Sequence, residues 1–232
     1  IMAGEMNKFE TNTPHLITKE GDKVLFPFGP QIFQSEISDN FREELLNKGK
    51  LLTKEKNDWR QNLAGIMRRN GSYIYEEDFI LKSEPYLLSF CERWFEKVTD
   101  NFGPNQTARL LDVQEGRRAK RVGKLRIDTM WINYQHQYDF NPVHTHRGVL
   151  SFVIFCQVPK RIFTKQAVSN TKDSGKILFL HGEEDHPFAS TLYPVTPYEN
   201  LIFIFPNNLH HTVPPFFTDD ERISVSGNFV VV

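Results

Sequence analysis

The sequence predicts a mainly β protein, a sandwich or barrel of short strands preceded by a largely helical stretch. Three observations carry that reading. Hydrophobic residues make up 39% of the 232 and aromatics 13%, with Phe alone contributing 20, so the chain can bury a real core and global disorder is excluded. The apolar period changes from 3.6 to 2 at about residue 105. Beyond it, short β-branched or aromatic runs follow one another with no helices between them, which favours a sandwich or barrel over a parallel α/β sheet. Two parts are expected: residues 1–104 as a mostly helical lobe packed on the barrel, and residues 105–232 as the barrel itself.

In the first part, Asp39 to Leu52 places Phe41, Leu45, Leu46 and Leu52 near helical spacing, with Asp39 as N-cap. A stronger helix runs from Ser83 to Phe102. Ser83 suits the cap and Pro85 the first turn, while Leu87, Leu88, Cys91, Trp94, Phe95 and Val98 form one apolar face. The strand runs begin with Lys124 to Gln135 (KLRIDTMWINYQ), where Leu125, Ile127, Thr129, Trp131 and Asn133 alternate onto one side. Val149 to Val158, Lys176 to Leu180, Asn200 to Phe205 and Arg222 to Val231 follow, punctuated by Asn141-Pro142, Ser174-Gly175, Pro206-Asn207-Asn208 and Pro214-Pro215.

Composition narrows the function classes. Lys+Arg 28 against Asp+Glu 29 gives a net charge of −1, so no overall basic field argues for nucleic acid. The basic loop 115–124 is read as a solvated loop or, secondarily, a polyanion contact. No apolar run approaches the roughly 18–20 residues needed to cross a bilayer, and the start lacks a basic stretch followed by a long apolar core, so neither membrane span nor signal peptide is expected. Cys91 and Cys156 sit in apolar runs and form no disulfide framework, which fits a reducing, cytoplasmic setting.

Histidine carries the chemistry. Of the eight, only His15 lies outside the second half of the chain, a clustering that raises the case for a metal site. Three pieces stand in order. Asn141-Pro-Val-His144-Thr-His146-Arg-Gly148 enters a strand, and residues two apart in extended structure face one side, so His144 and His146 can share a cavity. Phe205-Pro-Asn-Asn-Leu-His210-His211-Thr-Val213 stands at a strand–turn–strand boundary. Arg222-Ile-Ser224-Val-Ser226-Gly-Asn228 puts Arg, Ser, Ser and Asn on one face, which would be costly inside a barrel without a ligand to satisfy them.

These three pieces strongly resemble a branch of the Fe(II)/2-oxoglutarate-dependent oxygenases associated with marine bacteria and their phages, over about residues 127–232 and beginning at Trp131-Ile132-Asn133. The resemblance implies a double-stranded β-helix, a cupin-like jelly roll with iron at its mouth. It also implies Fe(II), 2-oxoglutarate and O2 as cofactor and cosubstrates, with hydroxylation of a C–H bond coupled to decarboxylation of 2-oxoglutarate to succinate. A phage-encoded protein would act in the host cytoplasm. Carried over residue by residue, the resemblance makes His144 the first metal ligand and His211, bracketed by Leu209 and Val213, the distal one, with His210 facing away. Arg222, Ser224 and Asn133 are implied for 2-oxoglutarate, the planar fork of Arg suiting its distal carboxylate; Arg222 could instead pair with Asp219, Asp220 or Glu221.

His146 departs from the wider superfamily, which places Asp or Glu two residues after the first His. A three-His face is the favoured reading. Alternatively Asp139, Glu183, Glu184 or water completes the shell while His146 lines the cavity. His136, His181 and His186 are read as surface or loop groups. Trp131 and Tyr134, with Tyr138 and Phe140, are candidates for the substrate side, or else ordinary packing. Two other functions compete: a cupin-like three-His metalloprotein that needs no 2-oxoglutarate, and a non-catalytic metal-binding module. The prime substrate stays open between peptidyl side chains, nucleobases and small metabolites.

Overall fold

The computed structural model describes residues 15–17, 22–25, 29–55, 58–69, 71–102, 124–163, 172–183 and 190–232. The first hundred residues supply β1 (His15–Ile17), β2 (Lys23–Leu25), β3 (Ile32–Glu36), α1 (Asp39–Glu55), β4 (Gly71–Ile74) and α2 (Glu77–Phe102). Eight strands follow: β5 (Leu125–Gln135), β6 (Asn141–His144), β7 (Leu150–Gln157), β8 (Ile177–Leu180), β9 (Leu192–Val195), β10 (Leu201–Pro206), β11 (His210–Val213) and β12 (Arg222–Val231). The long runs read as strands from their alternation are all strands, with ends shifted by a residue or so.

Two antiparallel sheets face each other. The large one has the order β1-β2-β3-β10-β7-β12-β5-β4 and the small one β6-β11-β8-β9. From β5 to β12 the chain winds between them: large, small, large, small, small, large, small, large. That winding is the double-stranded β-helix. No helix among the described residues is long and apolar enough to cross a membrane.

Each face of the large sheet has its own core. One face packs on α1 and α2: Leu45, Leu52, Leu87, Phe90 and Trp94 meet Ile132, Ile154, Ile204, Val225 and Phe229. Helix α1 comes so close that a Cβ on Gly49 would stand 2.5 Å from Ile132 Cδ1. The other face, with the small sheet, encloses Val153, Phe155, Phe179, Phe203, Phe205 and Phe216.

Several expectations are corrected. The first hundred residues are not simply a helical lobe, since β3 pairs with β10 and β4 with β5 as continuations of the large sheet. Three- to five-residue strands carry too little period for recognition; their long-range partners make them. The expected boundary near residue 104 and most of the basic loop 115–124 lie outside the described residues. Helix α2 starts at Glu77, so Pro85 lies within it, and Ser83 Oγ donates to Phe79 O (2.8 Å) instead of capping. Ser38 Oγ, not Asp39, takes the α1 cap position, accepting from Phe41 N–H at 3.3 Å. In β5 the register against β12 slips between Asn228↔Thr129 and Phe229↔Ile127. This bulge reverses the alternation, so Leu125 and Ile127 join the helix-side core while Thr129, Trp131 and Asn133 face inward.

Candidate metal centre

Between the sheets lies a cavity of about 540 Å³. Its inner wall is the polar face of β12 and β5, whose cross-strand pairs are Arg222↔Gln135, Ser224↔Asn133, Ser226↔Trp131 and Asn228↔Thr129. Residues 58–69 cover the open side between the two sheets. They are tied to β4 through Trp59 N–H to Ser72 O (2.7 Å) and to the approach to β6 through Ile66 N–H to Phe140 O (2.9 Å).

The small sheet brings the histidines together. His211 lies directly across from His144 in the β6–β11 register, and His146 follows β6 by two residues. Ligand atoms of His144, His146 and His211 all lie within 4.8 Å of one another. His146 is held by a two-point clamp: its N–H donates to Asn207 O (2.9 Å), and Asn207 Nδ2 donates to His146 O (3.0 Å). The ring of Trp131 lies 5.8 Å from that of His146, centroid to centroid.

The backbone sets the tautomers. His144 Nδ1 donates to Pro142 O (2.7 Å) and His211 Nδ1 to Leu209 O (3.0 Å), so Nε2 of each is the nitrogen that carries a lone pair; that of His144 accepts from Asn141 Nδ2 (3.2 Å) in this structure. His146 Nε2 stands 3.1 Å from His211 Nε2. Two nitrogens bound at right angles to one ion, each about 2.1 Å from it, are separated by about 3 Å. Burial pushes all three imidazoles below their ordinary pKa, His146 to about 4, with the neighbouring histidines adding to the shift at His146 and His211. The three are therefore neutral donors near pH 7, which fits a divalent transition metal.

Arg222 is 2% exposed at the inner end of the cavity. Its Nη1 donates to Gly175 O (2.6 Å) and its Nη2 to Gln135 Oε1, while Nε has no partner. No carboxylate pairs with it among the described residues. Each acid considered as a partner is engaged elsewhere: Asp219 with Arg69 (3.3 Å), Asp220 with Arg161 (3.8 Å) and Glu221 with His136 (3.1 Å). Burial alone draws the Arg222 pKa down to about 9. Ser224 and Asn133 line the cavity beside it, and Asn133 Oδ1 is buried without a partner.

Other candidates fall elsewhere. Tyr134 does not line the cavity: one residue out of phase with Asn133, it packs on the helix side, 6.0 Å ring to ring from Tyr73. Asp139 is buried away from the cavity and accepts the N–H groups of Arg68 (3.0 Å) and His136 (2.9 Å). Glu183 is exposed, while Glu184 and His186 lie outside the described residues. His210 and His181 are exposed. The only carboxylate lining the cavity among the described residues is Asp128, and it is not part of the histidine cluster. Sequence reasoning missed Gln135, Asn207 and Asn141, whose amide lies 3.2 Å from His144 Nε2. Gln135 shares the alternation of Asn133 and could have been found by extending it; Asn207 had no signal.

A family model described as Putative 2OG-Fe(II) oxygenase matches residues 129–228, the stretch from β5 to β12 that builds this site. No curated protein sequence matches the chain. Among solved structures, a Pseudomonas putida prolyl-4-hydroxylase is similar at 14% identity and a TM-score of 0.49, covering 87% of this chain and 92% of its own. A viral collagen prolyl hydroxylase from Paramecium Bursaria Chlorella virus-1, in a 2OG complex, shows 9% identity and a TM-score of 0.48, with 87% and 96% covered. HygX from Streptomyces hygroscopicus, with nickel and 2-oxoglutarate bound, shows 9% identity and a TM-score of 0.46, with 87% and 82% covered.

Proposed function

We propose that His144, His146 and His211 hold Fe(II) and that Arg222, with Ser224 and Asn133, anchors 2-oxoglutarate, a reading supported by the match of residues 129–228 to a family model described as Putative 2OG-Fe(II) oxygenase. The chemistry such a pair supplies when bound is decarboxylation of 2-oxoglutarate to succinate, coupled to oxidation of a second substrate. The single observation that carries the reading is the buried Arg222 with no acidic partner among the described residues, at the inner end of the cavity the histidines line. A guanidinium in low dielectric without a counter-charge is costly, and a dicarboxylate entering past the histidines removes that cost.

The chain's own groups then divide the work. Gly175 O and Gln135 Oε1 hold the fork of Arg222 without neutralising it, leaving its charge for a ligand. Ser224 offers a hydroxyl on the same face. Backbone acceptors at Pro142 and Leu209 keep Nδ1 of His144 and His211 protonated, so Nε2 of each is the donor atom. A face of three neutral imidazoles carries one negative charge fewer than two histidines and a carboxylate, so weaker Fe(II) retention is expected than for a carboxylate-containing face.

The same cavity argues against a module that needs no 2-oxoglutarate, since such a module has no use for Arg222. The test is titration of the anaerobic protein with Mn(II) as an Fe(II) substitute, followed by 2-oxoglutarate. Wild type should bind one equivalent of each; His211→Ala should lose metal binding, and His210→Ala should keep it. Metal binding that survives His211→Ala, or the absence of 2-oxoglutarate binding in wild type, would overturn the reading.

A further inference from the structure

Among the described residues three charged side chains line the cavity: Arg222, Asp128 and Arg147. Arg222 is buried at one end of the β12–β5 row, whereas Asp128 and Arg147, near the Asn228 end, are exposed, as are Asn62, Ala64 and Thr145 of the same lining. Between Arg222 and Asn228, β12 advances six residues, roughly 20 Å at about 3.4 Å per residue. A five-carbon dicarboxylate held at Arg222 covers only the inner part of that row. The outer part has a prepared floor. Ser151 Oγ donates to Asn228 Oδ1 (3.0 Å), and Asn228 Nδ2 donates to Thr129 Oγ1 (3.2 Å), which leaves an Asn228 amide hydrogen and the Thr129 hydroxyl hydrogen for a ligand.

Two backbone irregularities aim the rim charges, and both meet at Phe229. The β5 bulge is at Asp128, the residue skipped between Asn228↔Thr129 and Phe229↔Ile127, and it turns Asp128 to the cavity beside Thr129. On the other flank, Gly148 has φ 97° and lies so close to the strand that a Cβ would stand 2.4 Å from Phe229 O; Val149 N–H donates to that same oxygen (2.7 Å). With His146 clamped to Asn207, the short loop is pinned on both sides of Arg147. Neither Asp128 nor Arg147 forms an ion pair or side-chain hydrogen bond with any described residue.

We infer that this outer half is the prime-substrate subsite and that it takes a small zwitterion of the α-amino-acid kind, its ammonium toward Asp128 and its carboxylate toward Arg147. The inference rests on the oxygenase reading above. A monocation or a monoanion satisfies one rim charge and meets the other as a like charge, so the pair selects for a ligand carrying both signs. Each contact is partly solvated, and its removal is expected to cost about tenfold in affinity rather than all binding.

The probe is a set of the twenty proteinogenic L-amino acids, added singly to the protein preloaded with Mn(II) and 2-oxoglutarate and followed by thermal shift and calorimetry. Controls are their N-acetyl derivatives, which lack the ammonium, and the corresponding amines, which lack the carboxylate. At least one free amino acid should bind, its two one-charge derivatives should bind at least tenfold more weakly, and Asp128→Asn and Arg147→Gln should each weaken it about tenfold. Binding of 2-oxoglutarate with no amino acid bound, or equal binding of a derivative that lacks one charge, overturns the inference and leaves the oxygenase reading standing. Failure of 2-oxoglutarate itself to bind overturns that reading instead.

Discussion

The two faces of β12 and β5 are built from the same residues in alternation and do opposite work. Toward the helices, Ile223, Val225 and Phe229 of β12 meet Met130, Ile132 and Tyr134 of β5 in a continuous apolar layer. Toward the small sheet the same strands turn Arg222, Ser224, Ser226 and Asn228 against Gln135, Asn133, Trp131 and Thr129. One face removes apolar surface from water, at roughly 25 cal/mol per Å². The other withholds water from polar groups that are only partly satisfied, as the lone Nε of Arg222 and Oδ1 of Asn133 show. The difference teaches that the apolar core and the polar cavity wall are carried by alternate residues of a single strand, so neighbouring substitutions should fail in different assays.

The sharpest break of that comparison is expected on the helix side. Phe229→Ala removes a fully buried ring tilted against Phe152 at a centroid distance of 5.2 Å, and should cost about 3–5 kcal/mol of unfolding free energy in a denaturant titration. Arg222→Leu should do the reverse: 2-oxoglutarate affinity falls on the order of 30-fold to several-thousand-fold, or about 2–5 kcal/mol, while unfolding free energy stays within about 1 kcal/mol of wild type. Equal destabilisation by the two variants would show that the faces are not independent.

A smaller effect comes from pH. With metal removed by a chelator, the imidazoles of His144, His146 and His211 have folded pKa values below the ordinary 6.5, His146 at about 4. The unfolded chain then binds more protons between those values, so stability is full above about pH 6.5 and declines as the pH falls toward 4. The slope is at most about 1.4 kcal/mol per pH unit for each imidazole. Denaturant midpoints of the chelated protein from pH 7.5 to 4.5 measure it; a flat profile would mean the cluster is not desolvated.

Much of this was legible before any coordinates. Period two in Arg222 to Val231 already separates the helix-side residues from the cavity side, because consecutive side chains in a strand must oppose. Where the strand is regular the alternation decides: of the two readings open for Tyr134, substrate side or packing, its place one residue from Asn133 gives packing on the helix side. Where the strand is irregular the phase is lost, and Ile127 was misplaced by the bulge at Asp128. Helix α2 was visible from Leu87, Cys91 and Trp94, but its start six residues early was not, since Glu77 and Asp78 carry no apolar period.

By itself the sequence determined the strand content, the shared side of His144 and His146 and the polar face that begins at Arg222, all local properties of spacing and alternation, while His211 was singled out over His210 only through the family resemblance. Only the tertiary structure decided what faces them. It paired His211 across from His144, laid β3 beside β10, spread residues 58–69 over the open side, and left Arg222 with neutral oxygens while Asp219, Asp220 and Glu221 took other partners. It also brought Asp128 and Arg147 to the lining of one cavity, from positions nineteen residues apart. Spacing along a chain specifies which way a side chain points; which groups it meets is set by strand register and sheet order, which are fixed by long-range pairing and packing.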